Sequence, residues 1–72
     1  MASWREPRPS QLPPRVQQVL HCQLEGDSDT QIAARLDLSR HTVNHYTKQI
    51  YRHFGVHARA TLLARWLSRR WR

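Results

Sequence analysis

The chain has 72 residues and a formal net charge of +7, and 39% of its residues are hydrophobic. That length allows one small domain with a compact, mostly local core. A single cysteine, Cys22, excludes an internal disulfide, and no apolar run approaches the ~20 residues that a membrane-spanning helix needs.

The charge is one-sided. Residues 38–72 carry Arg40, Lys48, Arg52, Arg59, Arg65, Arg69, Arg70 and Arg72 and no Asp or Glu, a charge of +8. Residues 1–37 hold four arginines against five carboxylates, a charge of −1, which completes the +7. A field of this kind attracts polyanions: nucleic acid first, an anionic membrane surface second.

In chain order, residues 1–11 contain Pro7 and Pro9 and lack periodicity, so they read as a disordered or polyproline-like lead-in. Pro13 and Pro14 suit the first turn of a helix. Val16, Val19, Leu20 and Leu24 then recur at helical spacing until Gly26 stops the run. Ser28 or Asp27 caps a second short helix containing Ile32, Ala33 and Leu36. Asp37 ends it and is expected near the left-handed region, which Asp tolerates better than most residues. Ser39 caps a third helix with an apolar stripe of Val43, Thr47, Ile50, Tyr51 and Phe54, closed by Gly55. A fourth helix is expected from about Ala58 to Arg69, with Leu62, Leu63, Trp66 and Leu67 apolar. The resulting class is all-α, a four-helix bundle. The domain is expected over 12–69, followed by a basic tail at 70–72.

Helices two and three are separated by Asp37-Leu38 and the Ser39 cap, which is the spacing of a helix-turn-helix. Opposite its apolar stripe, helix three shows Arg40, Asn44, Lys48 and Arg52 at steps of four, flanked by His41, His45 and Gln49. Such side chains hydrogen-bond base edges in the major groove, and the helix N-terminus favours phosphate. The competing reading of the face is a solvated polar stripe.

These residues resemble a known family. Leu38-Ser39-Arg40-His41-Thr42-Val43, then Ile50-Tyr51-Arg52-His53-Phe54-Gly55-Val56, then Arg59-Ala60-x-Leu62 look like the LuxR-type (GerE-like) helix-turn-helix domain of bacterial transcription regulators. Leu12-x-Pro14-Arg15 with Val19-Leu20 and Gly26, and Ile32-Ala33-x-x-Leu36, fit its first two helices. The resemblance covers about residues 12–67.

It implies sequence-specific binding of double-stranded DNA in transcription regulation, with helix three (about 39–54) in the major groove and no catalysis. Base contacts would fall on Asn44, His45 and Lys48. Backbone contacts would come from Ser39, Arg40, His41, Thr42, Tyr46 and Arg52. Helix four would support a weak homodimer through Leu63, Trp66 and Leu67, and RNA polymerase is a further partner that the resemblance suggests. The implied location is bacterial and cytoplasmic, on the nucleoid. No cofactor or metal is expected.

The chain departs from the family pattern. Val16 and Gln18 stand where acidic residues are usual, Gln31 where Glu is usual, and Asp37 where Gly is usual. Ala58 stands where a polar cap is usual, so His57 would have to serve. Fewer intradomain salt bridges and a more basic domain are the expected result.

Other candidates are weaker. His41/His45 and His53/His57 have the i, i+4 spacing of zinc ligands, but no carboxylate or cysteine lies near in sequence to complete a site. Cys22 reads as a small core residue, and Ser28 and Ser39 as caps. Trp66 and Trp71 read as core or interface residues, with membrane-surface anchoring the alternative. The second function class is a basic amphipathic module that binds an anionic membrane or an acidic protein through Leu62–Arg72. A protein–protein adaptor that keeps the fold without DNA is the third.

Overall fold

The computed structural model describes residues 8–70, the last two by backbone alone. The lead-in up to Pro7, including Trp4, and the terminal Trp71 and Arg72 lie outside the described residues.

Every regular element among the described residues is helical: a 3-10 turn at Pro9–Gln11, then α1 (Pro14–Leu24), α2 (Asp29–Leu36), α3 (Arg40–Phe54) and α4 (Arg59–Arg70). The lead-in expected through residue 11 thus ends in regular structure. Pro9 opens this turn with its φ fixed by the ring. The turn closes with Gln11 N–H donating to the Arg8 carbonyl at 3.1 Å, and Gln11 Oε1 accepts the Arg8 N–H at 2.9 Å. Leu12 then anchors the chain in the core. At the other end, α4 runs to Arg70 and so enters the segment expected as a tail.

Helix starts and stops follow local chemistry. Ser28, not Asp27, caps α2: its Oγ accepts the Gln31 N–H at 3.2 Å. Gln31 completes the box, its Oε1 accepting the Ser28 N–H at 2.8 Å. The amide thus does what Glu does at that position. Ser39 caps α3, its Oγ accepting the Thr42 N–H at 3.0 Å. Ala58 occupies the N-cap position of α4, its carbonyl accepting the Leu62 N–H at 3.1 Å, so His57 is not the cap.

Three helices end alike, with a left-handed residue and an N–H reaching back to a carbonyl five residues earlier. The pairs are Asp27 to Cys22 at 3.1 Å, Leu38 to Ala33 at 2.9 Å, and Val56 to Tyr51 at 2.9 Å. The left-handed residues are Gly26, Asp37 and Gly55, with φ of 95, 56 and 68°. Asp37 is the one with a side chain to strain. Asp37→Gly should therefore raise stability by about 0.5–1 kcal/mol. Thermal denaturation would check it; a lowered midpoint would mean that the Asp side chain contributes more than its backbone costs.

The core is one cluster. Val16, Val19, Leu20, Ile32, Val43, Ile50, Phe54, Val56 and Leu62 are buried in it, together with Cys22. α1, α2 and α3 pack on one another, and α4 adds Leu62 at its start. Trp66 lies edge-on to Phe54, centroids 6.5 Å apart and planes at 88°, and is half-buried. Leu63 is half-buried and Leu67 is 53% exposed.

One core tie is polar. Gln23, 0% exposed on α1, donates from Nε2 to Thr47 Oγ1 on α3 at 2.9 Å. Its Oε1 is buried with no partner. Thr47 thus belongs to the apolar stripe by position and to a hydrogen bond by chemistry.

Candidate nucleic-acid interface

The 15 residues of α3 divide cleanly. Val43, Thr47, Ile50 and Phe54 face the core. Arg40, His41, Asn44, His45, Lys48 and Arg52 are exposed; all but Arg40 lie away from that stripe by helical spacing, and Arg40, three residues before Val43, is exposed at the first position of the helix. Their side chains have no hydrogen-bond or ion-pair partner among the described residues. The three residues expected to read bases, Asn44, His45 and Lys48, therefore share one open face with three of the expected phosphate contacts.

The remaining expected phosphate contacts are placed differently. Ser39 and Thr42 are tied to each other, with Ser39 Oγ donating to Thr42 Oγ1 at 2.9 Å. Tyr46 sits on the flank next to Val43, half-buried, and packs against the core. His45 and Tyr46 rings lie 6.0 Å apart.

Two carboxylates, Glu25 and Asp27, gather elsewhere, around the α1–α2 turn. Arg35 Nη1 donates to Glu25 at 2.8 Å and also to Asp27. The Arg35 hydrogen bond holds the Glu25 carboxyl below its ordinary range, and the two carboxylates push the Arg35 guanidinium up. His21 approaches Glu25 at 3.0 Å. These pairs are exposed, so each contributes little to stability. Burial pushes the nearby Cys22 thiol up, which disfavours the thiolate that a nucleophile would need.

Arg59, at the first position of α4, reaches across to this turn. It donates to the Asp27 carbonyl and, at 3.3 Å, to Asp29 Oδ1. Asp29 lines a shallow hollow with Arg40, His41 and Asn44. The carboxylate beside the open face of α3 is thus already paired. Arg65 donates to the Phe54 carbonyl at 2.8 Å, satisfying the C-terminal end of α3. Sequence reasoning assigned neither arginine to these contacts, because main-chain carbonyls leave no mark in a sequence.

Among the described residues, no helix is long and apolar enough to cross a membrane. Leu62, placed by the membrane reading in an anchoring segment, is a core residue. No three His, Cys, Asp or Glu side chains come together as a metal site among the described residues.

The arrangement is a helix-turn-helix that presents a cationic, amide-bearing helix face with no carboxylate on it. The sequence model of the family described as bacterial regulatory proteins, luxR family, matches residues 10–66. No curated protein and no solved structure matches the chain. A match over most of the length, on a fold with the helices that it requires, shows that the chain belongs to the luxR family of bacterial regulatory proteins, whose domain binds DNA in transcription regulation.

Proposed function

We propose that α3 enters the major groove of double-stranded DNA and reads sequence there through Asn44, His45 and Lys48. Asn suits adenine, and Lys suits guanine O6 and N7. Arg40, His41 and Arg52 hold flanking phosphates, with Ser39, Thr42 and Tyr46 as shorter-range backbone contacts. The observation that carries this reading is the exposed face of α3, whose cations and amide are uncommitted, while Glu25 and Asp27 are paired away from it and Asp29, beside it, is paired with Arg59.

Lys48 stands one turn after Asn44, away from Val43 and Ile50, so its stem can reach a base edge without disturbing the core. Lys48→Ala should cost about 1–3 kcal/mol on a preferred duplex and much less on random DNA. Helix content should be unchanged, since Ala is the better helix former at an exposed position. Titrations on a duplex selected from a random library and on unselected DNA decide it. An equal loss on both would make Lys48 a phosphate contact, and no loss on either would remove α3 from the groove.

Leu63, Trp66 and Leu67 on α4 are the proposed surface of a weak homodimer, assembled on two half-sites about one helical turn apart. Sedimentation should find two subunits on such a duplex; one subunit per palindrome would overturn the pairing. RNA polymerase is a further proposed partner, and the bacterial cytoplasm the proposed location.

A further inference from the structure

The far end of α3 holds a feature separate from its base-reading centre. Lys48, Tyr51, Arg52, Gly55, Val56 and His57 surround an open concavity of about 440 Å³. Lys48, Arg52 and His57 are exposed, Tyr51 is half-buried, and Val56 is buried. No carboxylate lines the hollow, and none occurs in the sequence after Asp37. The three basic side chains have no hydrogen-bond or ion-pair partner among the described residues. Gly55, at φ 68°, turns the chain so that His57 lines the same hollow as Arg52.

Distance gives this hollow a role. Arg40 and Arg52 are about 18 Å apart along the helix at 1.5 Å per residue, and the major groove is about 12 Å wide. A helix seated in the groove therefore brings its two ends to the two phosphate backbones. The start of α3 meets one strand. The hollow at its end faces the other, with Arg52 and His57 as donors, Tyr51 as floor, and Lys48 as the inner rim turned toward the bases.

We propose that this hollow seats one backbone phosphate of the second DNA strand, with His57, beyond the recognition helix, as a direct contact. The proposal rests on the reading that α3 enters the major groove.

Neutral methylphosphonates placed one at a time along both strands of a selected duplex test it on the full chain. At one phosphate flanking the read bases, neutralisation should weaken the parent by about five- to tenfold at about 0.1 M salt. His57→Ala should bind about three- to tenfold more weakly and be indifferent to neutralisation at that phosphate. It should remain sensitive at the phosphates of the opposite strand that Arg40 meets. His57→Lys should restore both affinity and the lost sensitivity. His57 lies in an exposed turn, so an unchanged helical spectrum for His57→Ala is expected and removes misfolding as a cause. A parent that discriminates its site, with the same methylphosphonate profile in His57→Ala, overturns the seat and leaves the groove reading standing. A parent without sequence preference, matched by a silent Lys48→Ala, overturns both.

Discussion

Raising salt from about 50 mM to about 200 mM should weaken DNA binding by about 10²- to 10³-fold, the drop for about four to six phosphates neutralised per subunit. Each neutralised phosphate releases condensed counterions, so log affinity should fall linearly with log salt. The structure sorts the cations that produce the slope. Arg40, Lys48 and Arg52 are exposed and uncommitted. Arg35, Arg59 and Arg65 already serve carboxylates or carbonyls within the domain. Arg40→Ala or Arg52→Ala should flatten the slope by about one unit and leave sequence preference intact. Arg35→Ala should leave the slope where it was. An affinity indifferent to salt would remove a polyanion as the partner.

Thr47→Val should destabilise the fold by about 1–3 kcal/mol, although it exchanges one buried side chain for another of similar shape. Gln23 is fully buried, and its Oε1 already lacks a partner. The bond from Nε2 to Thr47 is the hydrogen bond that its side chain makes. Without it the whole amide is stranded in the core, and the desolvation cost is uncompensated. A domain of this length has only about 4–11 kcal/mol of stability in total, at about 0.05–0.15 kcal/mol per residue. The loss should lower the melting midpoint by about 4–8 °C per kcal/mol. Gln23→Met alone should cost less, because Thr47 can turn its hydroxyl to a carbonyl in its own helix. The double variant Gln23→Met/Thr47→Val removes both polar partners and should recover most of what Thr47→Val loses. Purely additive effects in that cycle would mean that the bond contributes nothing.

Much of the fold was legible because its determinants are short-range. Ser39 is followed by polar residues and then the stripe Val43, Thr47, Ile50, Phe54, and the third helix begins and ends where that pattern places it. Asp37 was legible as a left-handed residue because two helices meet there with no glycine to take the turn. The open face of α3 was legible from spacing alone. Other features depend on groups that a residue type does not announce. Gln23 sits at a core position of α1, but an amide there reads as surface until its partner on α3 is seen. Ser28-Asp29-Thr30-Gln31 does carry a capping-box signal, and it would have assigned Ser28 over Asp27. Prolines concealed the turn at Pro9–Gln11, since the same residues suit an unstructured lead-in. Tyr46, whose hydroxyl was expected at a phosphate, also packs its half-buried ring against the core three positions after Val43, a contact that the sequence did not announce.

The two arginines of the fourth helix have a consequence for how substitutions combine. Arg65 ends on the Phe54 carbonyl, and one of the two bonds of Arg59 ends on the Asp27 carbonyl. A carbonyl belongs to every residue, so neither grip depends on which side chain its partner carries. Arg35, by contrast, is held by the carboxylates of Glu25 and Asp27. Replacing Asp27 by a neutral residue would thus be felt at position 35 and hardly at position 59. Pairwise epistasis should be concentrated among Glu25, Asp27 and Arg35 and between Asp29 and Arg59, while the hold of Arg65 on the end of α3 should drift almost independently of both.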